Sequence, residues 1–436
     1  MTTARGPLRV AASHLAYALA VHVVLVLATL PWLVRCLRDP RQARWMLRRF
    51  RPLREAVEGP APIWIHAVSV GEVKAARGLV AALAASVPDI PIVLSTGTAT
   101  GFETASKQFP DRLVFPAALD LPWVVRALVR RLRPRMQILM ELEVWPALMR
   151  ALDEAQVPQV ILNGRVSEGS FRTYRRMAWW LPEWDRLDLV ATQNEVYRDR
   201  LLALGVPADR VSVTGNLKHD LTDGPERQAV DALAAELGVN GELPVFVAGS
   251  THEGEDLPVV RAWLAAGGGE VSRLLLVPRH LERMREIERG LRKLGVPAQR
   301  RSELHAGAAS VDPGSVLLVD SMGELETLFG LADLVFLGGS LVPVGGHNVL
   351  EPAASGCPQL VGPHLESCRK DAECLAQEGA LRVVADEAAL GRELLALLHD
   401  PEERSRMGKA AAQALSKLRG ATRQNLELMR QAGLLT

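Results

Sequence analysis

From residue 60 onward the chain alternates two kinds of segment: short runs of apolar, mostly β-branched residues, and longer amphipathic runs rich in Ala, Leu and Arg. The short runs predict strands at Ile63–Val68, Ile92–Ser95, Leu113–Phe115, Gln137–Met140, Val160–Leu162, Leu189–Ala191 and Val211–Val213. A second series follows at Val245–Ala248, Leu274–Val277, Val316–Val319, Leu334–Leu337 and Gln359–Val361. Near-continuous apolar strands separated by helical stretches are the pattern of parallel sheets covered on both faces. The Asp223-Gly224-Pro225 break, and the polar Gly238–Pro244 segment after the next helix, divide this pattern into two halves. Each half has the size of one doubly wound domain. The expected organisation is therefore residues 1–55, then an α/β domain over 56–224, then a second over 225–436 that includes the C-terminal helices.

The N-terminus breaks the pattern. His14 to Val34 carries only His14, His22 and Thr29 as strongly polar members. As a helix it would be about 30 Å long, roughly one hydrocarbon thickness. Arg5 and Arg9 precede it, whereas Arg35, Arg38, Arg41, Arg44, Arg48, Arg49, Arg51 and Arg54 follow. Positive charge stays cytoplasmic, so the bulk of the chain is expected on the cytoplasmic side of a single-pass signal-anchor. An interfacial helix lying in the headgroup region is the other reading. A cleavable signal peptide fits poorly, because no small-residue cleavage site precedes the arginine collar.

Composition narrows the class. With 48% hydrophobic and 23% charged residues the chain is an ordinary globular protein. Its net charge is +1, so no overall field draws it to nucleic acid. Cys36, Cys357, Cys368 and Cys374 show no C-x-x-C spacing and read as reduced thiols, neither a disulfide framework nor a zinc site.

The polar, Gly-rich segments almost all follow directly after a predicted strand, which is where ligands bind on an open parallel sheet. Two such halves with facing edges would make an interdomain cleft. Ser69-Val70-Gly71-Glu72 opens a helix. Glu72 is either the last member of a capping box or a cleft carboxylate poised as general base. Ser321-Met322-Gly323-Glu324 raises the same choice and, with Gly323, would suit a phosphate at a helix N-terminus. Glu141 and Glu143 flank Leu142, on opposite faces if the chain is still extended there. Lys218 is either a compact charge for an anionic group or a solvated loop lysine. Arg279 after Pro278 suits a planar phosphate or carboxylate contact. His66, on an apolar strand, reads as a core histidine. Gly338-Gly339-Ser340 and Gly345-Gly346-His347-Asn348 form a glycine-dense loop leading to Glu351, whose amides would cradle phosphates. It lacks the Gly-Lys-Ser/Thr ending of a P-loop, no G-x-G-x-x-G follows the first strand, and no H-E-x-x-H is present. The residues alone favour metal-independent group transfer from a nucleotide-linked donor, with no cofactor.

These segments, in this order, resemble the bacterial 3-deoxy-D-manno-octulosonic acid (Kdo) transferases of lipopolysaccharide synthesis. The matching strings are 65–72 (Ile-His-Ala-Val-Ser-Val-Gly-Glu), 141–146 (Glu-Leu-Glu-Val-Trp-Pro), 214–218 (Thr-Gly-Asn-Leu-Lys), 250–255 (Ser-Thr-His-Glu-Gly-Glu), Pro278-Arg279-His280, Met322 to Leu325, and Gly338 through Asn348 to Glu351. The resemblance implies a GT-B fold of two Rossmann-like domains, the first for the acceptor and the second for the donor, with an N-terminal membrane helix. It implies transfer of Kdo from CMP-Kdo to a lipid A precursor (lipid IVA) with inversion, at the cytoplasmic face of the cell inner membrane. By the same resemblance Glu72 matches the general base, and Glu141 and Lys218 match transition-state stabilisers. Pro278, Arg279, Met322, Gly323, Glu324, Asn348, Val349, Leu350 and Glu351 match the CMP-binding positions.

The chain departs from the family pattern in three places. Ser367-Cys368 stands near where an Asn-Phe pair is usual. The charged segment after the membrane helix is shortened to the stretch around Arg48–Glu55. Asn163-Gly164-Arg165 has Gly where Ala is usual. These bear on the donor-site periphery, on the acceptor and on the number of Kdo units. Two other readings remain: a GT-B enzyme using a UDP-sugar, including an epimerase, which should lack the membrane helix; and a catalytically inactive membrane-bound scaffold, which should have lost Glu72 or Arg279.

Overall fold

The computed structural model describes residues 12–13, 15–24, 27, 40–53, 57–177, 182–239, 241–304, 312 and 314–435. It divides into two units, one formed by the chain up to Leu221 together with Arg419 onward, the other by Thr222–Leu418.

The first unit is a seven-stranded parallel sheet. Its strands are β1 (Ile63–His66), β2 (Ile92–Thr96), β3 (Val114–Pro116), β4 (Met136–Met140), β5 (Gln159–Gly164), β6 (Leu189–Thr192) and β7 (Val211–Val213). They lie in the order β3-β2-β1-β4-β5-β6-β7. The strand period of two explains why both faces are apolar. Ile63 and Ile65 enter the core under the helices Val70–Ser86 and Ala99–Gln108, while Trp64 enters the opposite core with Phe115 and Leu128. All of these side chains are essentially fully buried, each contributing about 1.5–3 kcal/mol of transfer free energy.

The second unit repeats the plan with β8 (Val245–Thr251), β9 (Arg273–Pro278), β10 (Ala298–Arg300), β11 (Val316–Leu318), β12 (Leu334–Leu337), β13 (Gln359–Val361) and β14 (Leu381–Val383). The order is β10-β11-β9-β8-β12-β13-β14, again with every pairing parallel. Val245 and Val247 face one core, Phe246 and Ala248 the other. At the ends of β8 and β12 the backbones nearly touch. A Cβ on Gly338 would lie 2.5 Å from the Ser250 carbonyl oxygen, so only glycine fits.

One sequence expectation changes here and another stays untested. The final helix, Ala421–Gln431, belongs to the first unit, not to the expected second domain over 225–436. Gly420 (φ +107°) stops the helix Pro401–Leu418, and the Asp220 carboxylate accepts the Gly420 and Thr422 N–H groups, both at 2.6 Å. Ala421, Leu426 and Met429 then bury in the core of the first unit. The expected membrane helix falls largely outside the described residues, and no described helix is long and apolar enough to cross a membrane. Described positions 15–24 are helical. Leu15, Leu19, Val23 and Val24 are exposed, while the Tyr17 hydroxyl donates to Asp120 (2.8 Å).

Candidate active site

The strand order reverses between β1 and β4 in the first unit and between β8 and β12 in the second, where, in addition, β10 lies outside β11 at the edge. Crevices at such reversals, beyond the carboxyl ends of the strands, are where α/β sheets hold ligands. The polar segments singled out in the sequence leave those same strand ends.

In the first unit β1 leads into Ser69 and the helix Val70–Ser86. Ser69 is the N-cap, and its Oγ accepts the Glu72 N–H. The Glu72 carboxylate takes the Val68 N–H (2.8 Å) and the Ser69 hydroxyl (3.0 Å). The capping bonds fix the carboxylate, and it also lines a pocket of about 210 Å³ with Glu141, Glu143, Arg165, Ser167 and Ser170. Burial raises the Glu72 carboxyl above its ordinary value. The Val68 N–H opposes that shift and the neighbouring Glu141 charge adds to it.

The opposite-face expectation for Glu141 and Glu143 fails, because the chain is not extended after β4. Glu141 has φ +58°, a left-handed conformation that turns both carboxylates into one pocket. Its Oε1 lies 3.3 Å from Lys218 Nζ. Lys218 is set by its neighbour: the Leu217 N–H donates to Oδ1 of Asn163 (3.0 Å), itself at φ +59°. Glu143 accepts from Trp145 Nε1 (2.7 Å) and meets His66 Nε2 at 3.4 Å. Burial pushes the Glu143 carboxyl up, but His66, Trp145 and the Arg49 charge outweigh it and hold it below the ordinary value. His66 is the core histidine expected, with Nδ1 2.8 Å from Ser95 Oγ.

In the second unit β8, β9, β11 and β12 are neighbours in the sheet, and their ends carry the remaining residues. Pro278 closes β9 and is buried, and Arg279 after it is exposed. Met322 is 73% exposed, beside Gly323 at φ +89°. The helix begins only at Leu325, so Glu324 is not the third helical residue of a capping box. It takes the Ser321 hydroxyl and Arg301 Nη2 (3.0 Å for the latter). Asn348 Nδ2 donates to Glu351 (3.0 Å), and its Oδ1 accepts the Leu350 N–H (3.1 Å). Val349 and Leu350 are buried core residues, so their side chains do not face a ligand.

Two features were not singled out in the sequence. Glu255, fully buried, accepts the N–H groups of His252 (2.9 Å), Gly339 (2.6 Å), Ser340 (2.9 Å) and Leu341 (2.8 Å), tying the β8 and β12 loops together. His252 and His347 meet across the same ends. Nothing in spacing distinguishes Glu255 from Glu253 or anticipates a contact 95 positions apart. Among the described residues no group of three His, Cys, Asp or Glu side chains is placed to hold a metal ion.

A family described as 3-deoxy-D-manno-octulosonic-acid transferase (kdotransferase) matches residues 43–221. The 3-deoxy-D-manno-octulosonic acid transferase of Haemophilus influenzae is 36% identical, covering 85% of this chain and 87% of that protein. The chain belongs to the Kdo transferase family. The protein of the same description from Bordetella pertussis is 35% identical over 92% of this chain and 96% of its own. That of Chlamydia trachomatis serovar A is 30% identical over 77% and 78%. Among solved structures, the UDP-GlcNAc 2-epimerase of Neisseria meningitidis superposes with a TM-score of 0.58 at 11% identity, covering 85% of this chain and all of that one. A glycosyltransferase of Rickettsia africae gives 0.56 at 12% identity, covering 86% and 99%. These show a GT-B-like fold of two parallel-sheet α/β domains. The Kdo transferase described here is accordingly a glycosyltransferase, with its family motifs at the carboxyl ends of both sheets.

Proposed function

We propose that this Kdo transferase moves Kdo from CMP-Kdo to a hydroxyl of the lipid A precursor lipid IVA, with inversion at the anomeric carbon. The observation that carries the reading is Glu72 and Glu141 in one pocket at the β1/β4 reversal, with Lys218, from the loop after β7, beside Glu141. Glu72 removes the proton of the attacking hydroxyl. Its carboxyl, raised by burial, is better matched to that task near neutral pH than a solvated glutamate. Lys218 beside Glu141 offers positive charge to an anionic group as charge redistributes, without leaving an unpaired cation.

For the donor, Arg279 meets the CMP phosphate with a planar guanidinium. The exposed Met322 thioether offers an apolar face to the cytosine, and Gly323 lets it approach. The backbone of Val349 and Leu350, with Asn348 and Glu351, serves the ribose. Positive charge on the leaving phosphate comes from arginine in this reading, so stripping divalent metals with EDTA leaves turnover intact. We assign the N-terminal region to the inner membrane, on the exposed Leu15, Leu19, Val23 and Val24 followed by an arginine-rich stretch.

The test is incubation with freshly generated CMP-Kdo and purified lipid IVA, read by mass spectrometry. Mass gain in whole Kdo units supports the reading, and the number of units gives the valency. No gain with CMP-Kdo, but gain with a UDP-sugar, overturns it.

A further inference from the structure

The ends of β8 and β12 bring two histidines into direct contact. His252 Nε2 lies 2.8 Å from His347 Nε2, with the ring planes 16° apart. His280, after β9, stands edge-on to His252 with centroids 5.4 Å apart. An Nε2–Nε2 hydrogen bond restricts protonation. One ring must carry hydrogen on Nε2, while the other presents a lone pair there and carries its own hydrogen on Nδ1. One further proton fits on Nδ1 of the donating ring and makes the pair cationic. Yet another would set two N–H groups against each other and break the bond. The pair therefore holds a charge of zero or plus one, never plus two.

The surroundings decide between those states. The charged and titratable groups that act on the pair are Arg279 and His280 after β9, Arg283 on the helical turn beyond, and Glu255 in the β8 loop. Glu255 is the one carboxylate among them, and its oxygens are committed to four backbone N–H groups. Burial first lowers both rings below the ordinary imidazole value; Arg279 and His280 add to that on both rings, and Glu255 opposes it without reversing it. The free protein thus keeps the pair neutral next to an exposed arginine. A phosphate seated on Arg279 would reverse the local field and favour the charged form.

We propose that the His252–His347 pair is a one-proton site that takes up a proton from solvent when the nucleotide phosphate binds at Arg279, and returns it when the nucleotide leaves. The inference rests on the CMP reading above. Its consequence is that the donor site gains a second positive charge only while a phosphate is present. Both histidines act as positioning and charge-compensating residues at the sheet reversal, and neither needs to touch the sugar.

Calorimetric titration of the full chain with CMP near pH 7.5, in buffers of different ionisation enthalpy, tests it. The expected wild-type heat depends on buffer, with uptake of up to about one proton per CMP bound. His347→Gln and His252→Gln are each expected to bind CMP more weakly and to lose that uptake. If either variant binds too weakly to titrate, ¹⁵N-histidine spectra of the wild type with and without CMP report ring protonation directly. Buffer-independent heat, uptake that survives in both variants, or ring signals unchanged by CMP would each overturn the proposal while leaving CMP binding standing. No heat from CMP in the wild type overturns the CMP reading itself, and this inference with it.

Discussion

The Glu141 carboxylate, turned back by a left-handed backbone, holds the Lys218 ammonium at 3.3 Å. The lysine side chain is 44% exposed, so the pair contributes only about 0.2–1 kcal/mol to stability. Lys218→Ala is therefore expected to unfold within about 1 kcal/mol of the wild type in urea. Transfer should fall by about a hundredfold or more, the size typical of a lost charge stabiliser. A matching loss of stability would make the pair structural and remove Lys218 from the chemistry.

Glu72 separates its two roles by substitution. Glu72→Gln keeps one oxygen for the Val68 N–H, turns its NH2 toward the Ser69 hydroxyl oxygen, and cannot accept a substrate proton. Its expected outcome is a rate lower by about 10²–10⁴, with CMP affinity nearly unchanged. Wild-type-like turnover in single-turnover mass spectrometry would sink the general-base assignment.

The pH profile should carry the mark of the same residue. Burial and then Glu141 hold the Glu72 carboxyl above 4.5, favouring its neutral form in the folded protein. Its contribution to stability is thus full below the unfolded value and lost as pH rises through the folded one. Catalysis needs the ionised form, so kcat/KM should fall on the acid side around a value above 4.5. Glu141→Gln removes a negative neighbour, lowers the Glu72 value and moves that limb toward lower pH, whatever it does to the maximum rate.

Glu255→Ala strips the partner from four backbone N–H groups at once. At about 1–3 kcal/mol for each buried unsatisfied donor, the expected loss is several kcal/mol. Calorimetric melting should show the second unit destabilised. A shift of under a degree would mean that water replaces the carboxylate without cost.

The exposed apolar side chains near the N-terminus give a membrane test. Leu19→Asp with Val23→Asp should weaken co-sedimentation with phosphatidylethanolamine–phosphatidylglycerol vesicles. Each apolar side chain lost from lipid is worth about 1.5–3 kcal/mol, or roughly tenfold or more. Unchanged binding would remove these side chains from the membrane assignment.

The parts of this fold legible in the sequence are those where one physical rule acts alone. Buried parallel strands read as apolar runs, so β7, β12 and β13 match their expected bounds. The edge strands β10 and β14 were missed: Ala298-Gln299-Arg300 is half exposed and carries no apolar run. Site residues were legible where they follow strands, because strand ends fix the crevice. The shared pocket of Glu141 and Glu143 was not, since it depends on one positive φ at a non-glycine position. Nor was the path of the last helix, which is set by Asp220, some 200 positions upstream.

That last contact shapes how the chain is made. Because residues after Arg419 complete the unit that begins at the N-terminus, the second unit is an insertion within the first. During synthesis the second unit can close on itself while the first still lacks a helix. The Asp220 carboxylate, and the apolar floor that receives Leu426 and Met429, must wait for the ribosome to deliver the chain's final stretch. A nascent-chain arrest before residue 420 should trap a protein whose second unit is finished and whose first remains open to chaperones.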